Sequence, residues 1–219
     1  MTITEQQVEA GQAIYSKSML GIYDWFVLGF SNRLIWKCPS KHISALYDRH
    51  VTTNHLDVGV GTGYFLDRCR FPNDHPRLGL MDLNANCLDA AGRRMARYHP
   101  EVYRANILDP IGLDISRFDS ISLTYLLHCL PGTIKTKGAV FRHLKPLLNQ
   151  GGVIFGATLL SNGVCLSWAA KRLMAFYNSK GIFTNDQDDL QGLRAVLSEH
   201  LTTVTVEVVG CAALFSGRV

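Results

Sequence analysis

A glycine-rich loop carries the strongest chemical signal in the sequence. It reads DVGVGTG over residues 57–63, follows a short apolar run and precedes a helical stretch. Glycines permit positive φ and let a ligand approach the backbone closely, and N–H groups at the start of a helix can face that ligand. The GxGxG spacing differs from the GxGxxG fingerprint that binds the pyrophosphate of a dinucleotide. A turn with glycines for geometry alone is the alternative.

Two acidic side chains stand where they could contact the same ligand. Asp57 comes two residues before Gly59, and a negative charge there would repel a pyrophosphate and favour a ligand bearing an ammonium group. Asp82 ends the next apolar run, and an acid at that place can accept hydrogen bonds from a ribose hydroxyl pair. Capping the following helix is the alternative role for Asp82, although Asn84 is also available for it.

The elements that must position these residues alternate along the chain. The predicted strands are 55–58, 77–81, 102–105, 119–124 and 153–158, and the predicted helices are 64–69, 86–98 and 134–148. This alternation predicts parallel strands joined by right-handed crossovers. A helix at 190–200 precedes two consecutive strands at 203–209 and 211–215, which predict an antiparallel hairpin.

We therefore expect one α/β domain over residues 1–219. A helical cap would occupy residues 1–50. Residues 51–219 would form a Rossmann-like, mostly parallel seven-stranded sheet with helices on both faces and an antiparallel C-terminal hairpin.

Composition excludes several classes of protein. The chain has 219 residues, 47% of them hydrophobic and 18% charged, and a net charge of +4, which is too small to indicate a nucleic-acid partner. Its start lacks the pattern of a signal peptide, and no apolar stretch approaches the roughly 18–20 residues of a membrane helix. The six cysteines are widely spaced without a CxxC pair. We expect a cytoplasmic protein with reduced thiols, no metal site and no membrane partner.

Five ordered segments resemble the motifs of class I S-adenosylmethionine-dependent methyltransferases of the small-molecule type. They are the loop at 57–63, the acid Asp82, and the segments 105–108, 118–124 and 144–152, which read ANIL, FDSISLT and LKPLLNQGG. The resemblance covers residues 54–160 and, more loosely, the terminal hairpin. It implies that the chain binds S-adenosylmethionine and transfers its methyl group to a small molecule, as the enzymes that tailor secondary metabolites do.

The resemblance also implies a set of contacts with this cofactor. The glycines would line its methionine and ribose portions, Asp82 would hold the ribose hydroxyls and Leu83 would pack on the adenine. Asn106 stands at the adenine edge where the family more often has Asp, and its carbonyl oxygen could still accept from the adenine amino group. The implied cofactor-binding residues are Tyr15, Asp57, Gly59, Gly61, Gly63, Asp82, Leu83, Asn106, Ile107, Thr124 and Tyr125.

Two residues are candidates for the catalytic step. His128 follows the fourth predicted strand, and an unperturbed imidazole, with a pKa of about 6.5, suits a base at neutral pH. A place in the pocket wall or the core is its alternative role. Tyr23 lies in an aromatic N-terminal segment that the resemblance places over the cofactor and the acceptor. Simple packing of that segment on the domain is the alternative. Cys129 is not needed as a nucleophile, because the transfer requires no covalent enzyme intermediate.

Other functions fit the residues less well. The GxGxG spacing, the charge of Asp57 and the terminal hairpin oppose a nicotinamide-dependent oxidoreductase. A nucleic-acid methyltransferase would be expected to carry an NPPY-like tetrapeptide where this chain has TYLL at 124–127. A regulator that binds the cofactor without methyl transfer stays open, as do the acceptor, the methylated atom and a homodimer formed through the apolar N-terminal segment.

Overall fold

Seven strands form one mixed sheet in a computed structural model, which describes residues 31–219. The order across the sheet is β3-β2-β1-β4-β5-β7-β6. The strands are β1 Asn54–Val58, β2 Arg77–Asp82, β3 Glu101–Arg104, β4 Phe118–Thr124, β5 Leu148–Leu159, β6 Thr202–Val209 and β7 Ala212–Arg218. β1 to β5 pair in parallel, and β7 runs antiparallel to both β5 and β6. The expected parallel sheet with an antiparallel terminal hairpin is confirmed.

Helices cover the sheet on both faces. In the described part of the chain they are α1 Ser40–His50, α2 Tyr64–Arg68, α3 Ala85–Arg94, α4 Ile134–Lys137, α5 Ala139–Leu144, α6 Trp168–Ser179 and α7 Leu190–His200. Short 3₁₀ segments span Ala96–Tyr98, Leu127–Cys129 and Lys145–Leu147. No helix among residues 31–219 is long and apolar enough to cross a membrane.

Two predicted helices are shorter than their sequence patterns suggested. The helix predicted at 134–148 divides at Gly138 and then tightens into a 3₁₀ turn that contains Pro146, whose ring cannot continue an α-helix. The chain enters β5 at Leu148, earlier than the predicted start at residue 153. The helix predicted at 86–98 ends at Arg94. The 3₁₀ turn Ala96–Tyr98 completes that stretch and is followed by His99, with φ 50°.

The hydrophobic core lies on both sides of the sheet. Leu56, Ile121 and Phe141 belong to the cluster on one face, and Tyr47 and Phe155 to the cluster on the other. Each such fully buried side chain contributes roughly 1.5–3 kcal/mol relative to an exposed one. The helices are thereby fixed against the sheet, and the loops at the carboxyl ends of β1, β2 and β4 are held in place.

Candidate functional site

Two adjoining clefts open at the carboxyl edge of the parallel strands. The larger encloses about 750 Å³, part of it open to solvent, and the smaller about 490 Å³. Gly59, Gly61 and Tyr125 line both, so the glycine loop forms the partition between them. The larger cleft is lined by Val58, Gly59, Gly61, Met81, Asp82, Leu83, Asn84, Cys87, Ala105, Asn106, Ile107, Leu108, Tyr125, Leu126, Cys129, Leu130 and Pro131. The smaller is lined by Tyr47, Asp57, Gly59, Val60, Gly61, Thr62, Gly63, Tyr64, Phe65, Thr124 and Tyr125.

All three glycines of the loop adopt backbone angles that favour glycine. Their φ angles are 71° at Gly59, 51° at Gly61 and 72° at Gly63. A Cβ at Gly59 would lie 2.8 Å from Leu126 Cδ1, whereas one at Gly61 would meet nothing within 4 Å. Gly59 N–H donates to Met81 O at 2.8 Å, which ties the loop to the neighbouring strand. The loop is therefore held from β2 while its middle faces open space.

Asp57 lies at the floor of the smaller cleft and is 4% exposed. Its Oδ1 accepts hydrogen bonds from Tyr47 Oη at 3.0 Å and from Ser122 Oγ. No hydrogen bond reaches Oδ2 from the described residues. Burial raises the pKa of this carboxyl to about 6, the two hydroxyl donors lower it and the nearby Asp82 raises it. One oxygen is thus fixed and the other remains for a ligand.

Asp82 lies in the larger cleft at the end of β2. Its Oδ1 accepts from the N–H of Asn84 at 2.9 Å, and Asn84 itself caps α3 by accepting from the N–H of Asn86. Burial raises the pKa of Asp82 to about 6, and the N–H groups of Asn84 and of the glycine loop partly offset that rise. Because Asn84 provides the helix cap, Asp82 is not needed for it.

The far wall of the larger cleft is the loop after β3. Ile107 is buried there, and Asn106 shapes the loop with both ends of its amide. Its Oδ1 accepts from the N–H of Leu108 at 3.1 Å and its Nδ2 donates to Asp109 at 2.7 Å. The oxygen keeps a second lone pair, which could accept one hydrogen bond from an adenine amino group.

Tyr125 shows backbone strain at the junction of the clefts. Its φ is 58°, a left-handed value that few residues other than glycine adopt, and its N–H donates to Ala157 O at 2.7 Å. Beside it, Thr124 Oγ1 is buried without a hydrogen-bond partner of normal geometry among residues 31–219. A strained residue and an unsatisfied hydroxyl at one place are typical of a ligand site.

Comparison with known proteins identifies the family. A family model described as a methyltransferase domain matches residues 56–154. The chain is 39% identical to demethylluteothin O-methyltransferase of Streptomyces thioluteus over 97% of this chain and 93% of that protein. It is 37% identical to the physcion biosynthesis cluster O-methyltransferase of Aspergillus chevalieri over 94% of each. The solved DhpI–SAH complex has the same fold, with a TM-score of 0.69 at 14% identity over 99% of this chain and 98% of that one.

The chain belongs to the class I S-adenosylmethionine-dependent methyltransferases. The resemblance read from the five sequence segments is thereby confirmed, and the chain is an enzyme. Ten of the residues that the resemblance implied in cofactor binding lie together on the walls of the two clefts: Asp57, Gly59, Gly61, Gly63, Asp82, Leu83, Asn106, Ile107, Thr124 and Tyr125. Their individual roles stay predictions. Tyr15 and Tyr23 lie outside the described residues.

In the structure of this methyltransferase, His128 is not among the residues that line the two clefts, but its ring lies edge-on to that of Tyr125, which lines both, with centroids 5.7 Å apart. The ring is 3% exposed and packs edge-on against Phe183, with centroids 4.5 Å apart. Its Nδ1 accepts from the N–H of Leu159 at 3.3 Å. Burial, with a contribution from the charge of Lys137, lowers the pKa of His128 to about 3. The ring is therefore buried directly behind the clefts. Its role as a base and the alternative, a place in the pocket wall or the core, both stay predictions.

Sequence reasoning missed several residues of the methyltransferase site. Tyr47 and Ser122 hold Asp57, and Leu126 lies against the glycine loop. Cys87 and Cys129 add thiols to the larger cleft, and burial raises the pKa of Cys129 to about 12, so that thiol is neutral. The alternation of polar and apolar residues in FDSISLT could have indicated Ser122, whereas nothing in the sequence near Tyr47 signals its contact.

Proposed function

We propose that this methyltransferase transfers the methyl group of S-adenosylmethionine to a hydroxyl oxygen of a small, largely apolar molecule of secondary metabolism. The observation that carries the proposal is the nearly full-length similarity to two O-methyltransferases, one bacterial and one fungal. The name of the fungal relative places that protein in a biosynthesis cluster. We extend the oxygen acceptor and the metabolic setting from those relatives to this chain.

The charges of the clefts support a cationic nucleoside ligand. Asp57 and Asp82 face the two clefts, and the described lining residues include no Lys or Arg. Such walls suit an ammonium or sulfonium group and leave a pyrophosphate without a counter-charge. The unsatisfied Thr124 hydroxyl and the open space at Gly61 also fit a ligand that spans the partition.

The proposed roles of the residues follow from these positions. Asp57 Oδ2 would bind the ammonium group in the smaller cleft, while Asp82 would accept from the ribose hydroxyls. Leu83 and Ile107 would hold the adenine between apolar side chains. The bound cofactor supplies an electrophilic methyl group on a cationic sulfur. Tyr125, which lines both clefts, would lie closest to that sulfur, where a ring face stabilises a cation.

An acceptor with an acidic hydroxyl fits the titratable groups of the site. The described cleft walls contain no imidazole, and their two carboxylates are assigned to the cofactor. A phenolic or enolic hydroxyl is far more acidic than that of an alcohol, so water can take its proton during methyl transfer while the enzyme holds its oxygen in line with the methyl group. We propose a core role for His128. Tyr23 as a catalytic residue, a cytoplasmic location and a homodimer stay predictions.

Two measurements test this function. The purified chain is titrated calorimetrically with S-adenosylmethionine and with NAD, beside Asp82→Ala and the control Asp89→Ala, an exposed acid on α3. We expect the sulfonium ligand alone to bind and Asp82→Ala to lose about 1–3 kcal/mol. Methyl-labelled cofactor is then offered with phenols, enols, alcohols and amines, and products are read by mass spectrometry. Labelled amines without labelled phenols or enols would contradict the oxygen acceptor, and binding of NAD instead would contradict the cofactor.

A further inference from the structure

A row of polar side chains crosses the middle of the otherwise apolar parallel sheet. His55 and Asp57 lie on one face of β1, and Ser120 and Ser122 lie opposite them on β4, in the register His55↔Ser120 and Asp57↔Ser122. All four are buried. Buried polar groups are costly unless they are hydrogen-bonded, and a central strand favours apolar residues on both faces. A departure from local preference of this kind is expected where function requires it.

The four side chains form one continuous hydrogen-bonded chain. His55 Nδ1 lies 2.7 Å from Ser120 Oγ, and His55 Nε2 lies 3.0 Å from Ser122 Oγ. Ser122 Oγ donates to Asp57 Oδ1. The imidazole is enclosed by the rings of Phe155 and Tyr47, whose centroids lie 5.7 and 6.3 Å away. The row therefore has fixed geometry.

The hydrogen atoms available determine the direction of these bonds. An ionised Asp57 only accepts, and Ser122 has one hydroxyl hydrogen, which it gives to Asp57. His55 Nε2 must then carry the hydrogen that is donated to Ser122 Oγ. A neutral imidazole has a single N–H, so Nδ1 is an acceptor and takes the hydroxyl hydrogen of Ser120. This direction also requires the Thr52 hydroxyl, which lies 2.8 Å from Ser120 Oγ and 3.0 Å from Asn54 O, to donate to Ser120, as the Thr52 N–H does at 3.1 Å.

We propose that His55 is a positioning residue for the cofactor carboxylate: held as its Nε2–H tautomer, it orients the Ser122 hydroxyl toward Asp57 and so keeps Asp57 an ionised acceptor for the ammonium group. The link to the ammonium group rests on the proposed function. The tautomer and its connection to Asp57 rest only on the geometry of the ligand-free chain.

The charges around the row favour this role. Burial lowers the pKa of His55 to about 3, so the ring is neutral and adds a dipole without a charge. Among residues 31–219, the titratable groups that face Asp57 are Tyr47 from α1, Asp82 from β2 and the Cys69 thiol. None of them is a cation. The hydroxyl donors are therefore what offsets the burial of the carboxylate, and the donor from Ser122 depends on His55.

Nuclear magnetic resonance of the ligand-free protein tests the tautomer. Long-range ¹H–¹⁵N spectra distinguish the two ring nitrogens, and His55→Gln assigns the signal among the eight histidines. We expect a neutral His55 with its hydrogen on Nε2 at pH 7–8. A hydrogen on Nδ1, or a charged ring, would overturn the proposal whether or not the protein binds S-adenosylmethionine.

Binding as a function of pH tests the connection to the cofactor. S-adenosylhomocysteine, which carries the same ammonium group, is titrated between pH 5 and pH 8 into the wild type, Ser122→Ala, His55→Leu and His55→Gln. Ser216→Ala is the control, because Ser216 is also a buried strand serine, with its hydroxyl 2.8 Å from Thr205. Without the Ser122 donor, Asp57 should ionise about one pH unit higher. Binding should then weaken about fivefold near pH 6, about tenfold near pH 5 and little at pH 8.

The variants separate positioning from a structural role. We expect Ser122→Ala and His55→Leu to shift the acid limb of binding, and His55→Gln, whose amide N–H can replace Nε2–H, to keep it. An equal loss at every pH in Ser122→Ala and His55→Leu would show that the row only supports the fold. If the wild type binds no S-adenosylhomocysteine at any pH, the proposed function fails, and the tautomer experiment still decides the role of His55.

Discussion

At the scale of single residues, the raised pKa values show that the site is built at a cost to stability. Burial raises the pKa of Asp57 to about 6 in the folded chain, from an ordinary value of 3.8. A carboxyl whose pKa is raised on folding contributes stability below the lower value, and this is lost as the pH rises through the folded value. Each unit corresponds to about 1.4 kcal/mol. The ligand-free enzyme should therefore lose stability between pH 4 and pH 6 on account of this residue.

Asp57→Asn should remove that loss. The amide oxygen can still accept from Tyr47 and Ser122, while the buried charge disappears. Relative to the wild type, the unfolding free energy of Asp57→Asn should be about 1–3 kcal/mol more favourable at pH 8 than at pH 4. The variant should also bind the cofactor much more weakly. Urea unfolding at both pH values measures the difference, and Asp89→Asn is the exposed control. The same change at both pH values would show that the pKa of Asp57 is not raised.

Residues also mark the limit of what the sequence could predict. The glycine loop, Asp57 and Asp82 could be located because each has a fixed place relative to a strand end. The partners of Asp57 could not, because Ser122 is 65 positions away and reaches it only through the register of β1 with β4. His128 shows the same limit: its sequence position suits a base, but its burial and its contacts with Phe183 and Tyr125 depend on segments that the sequence does not connect.

At the scale of elements, substitutions in the glycine loop should distinguish effects on stability from effects on cofactor binding. Gly59→Ala places a methyl group 2.8 Å from Leu126 Cδ1 at a φ of 71°, whereas at Gly61 only the φ of 51° is unfavourable. We expect Gly61→Ala to cost about 1–2 kcal/mol in unfolding free energy and Gly59→Ala more. Gly61→Ala should nevertheless lower cofactor affinity, because its methyl group enters the clefts.

A glycine outside the two clefts provides the control for this comparison. Gly92 lies within α3, where a Cβ would meet nothing within 4 Å. Gly92→Ala should therefore raise the unfolding free energy by about 0.5–1 kcal/mol and leave cofactor affinity unchanged. Thermal unfolding and calorimetric titration of the three variants measure both quantities. Unchanged affinity in Gly61→Ala would place the ligand away from the loop.

A buried ion pair fixes the segment that follows β5. Lys137 Nζ on α4 lies 2.5 Å from Asp188 Oδ2 and also donates to Thr184 O, and both charged side chains are at most 1% exposed. Removing either partner leaves an uncompensated buried charge, which typically lowers the unfolding free energy by about 3–5 kcal/mol. Lys137→Met and Asp188→Leu should each destabilise the enzyme strongly.

The double variant should be more stable than either single one. Apolar side chains of similar volume that replace a buried pair are often neutral for stability. Urea unfolding of the wild type, both single variants and the double variant gives the coupling free energy. Additive losses would show that the two charges do not compensate each other in the folded state.

At the scale of the whole molecule, the sheet order explains why the site is at one edge. The strands β1 and β4 are paired neighbours in the sheet, with β2 on the outer side of β1 and β5 on the outer side of β4. The strand order therefore reverses between β1 and β4, and ligands of open α/β sheets bind beyond the carboxyl ends at such a point. The alternation of strands and helices was enough to predict parallel pairing, but the order β3-β2-β1-β4-β5-β7-β6 depends on contacts between distant segments. The sequence pattern therefore predicted the number and direction of the strands but not their order.

Cofactor binding should therefore stabilise the whole molecule, because its site joins the loops of both halves of the parallel sheet. At a hundredfold excess over Kd a ligand adds about 2.7 kcal/mol. For a chain of this size, Tm rises by about 2–4 °C for each kcal/mol of added unfolding free energy. We therefore expect S-adenosylmethionine to raise Tm by about 5–10 °C. NAD should leave Tm unchanged, because Asp57 and Asp82 repel its pyrophosphate and the described cleft walls hold no Lys or Arg. Scanning calorimetry with either ligand measures the shift, and an equal rise with NAD would mean that charge does not select the ligand.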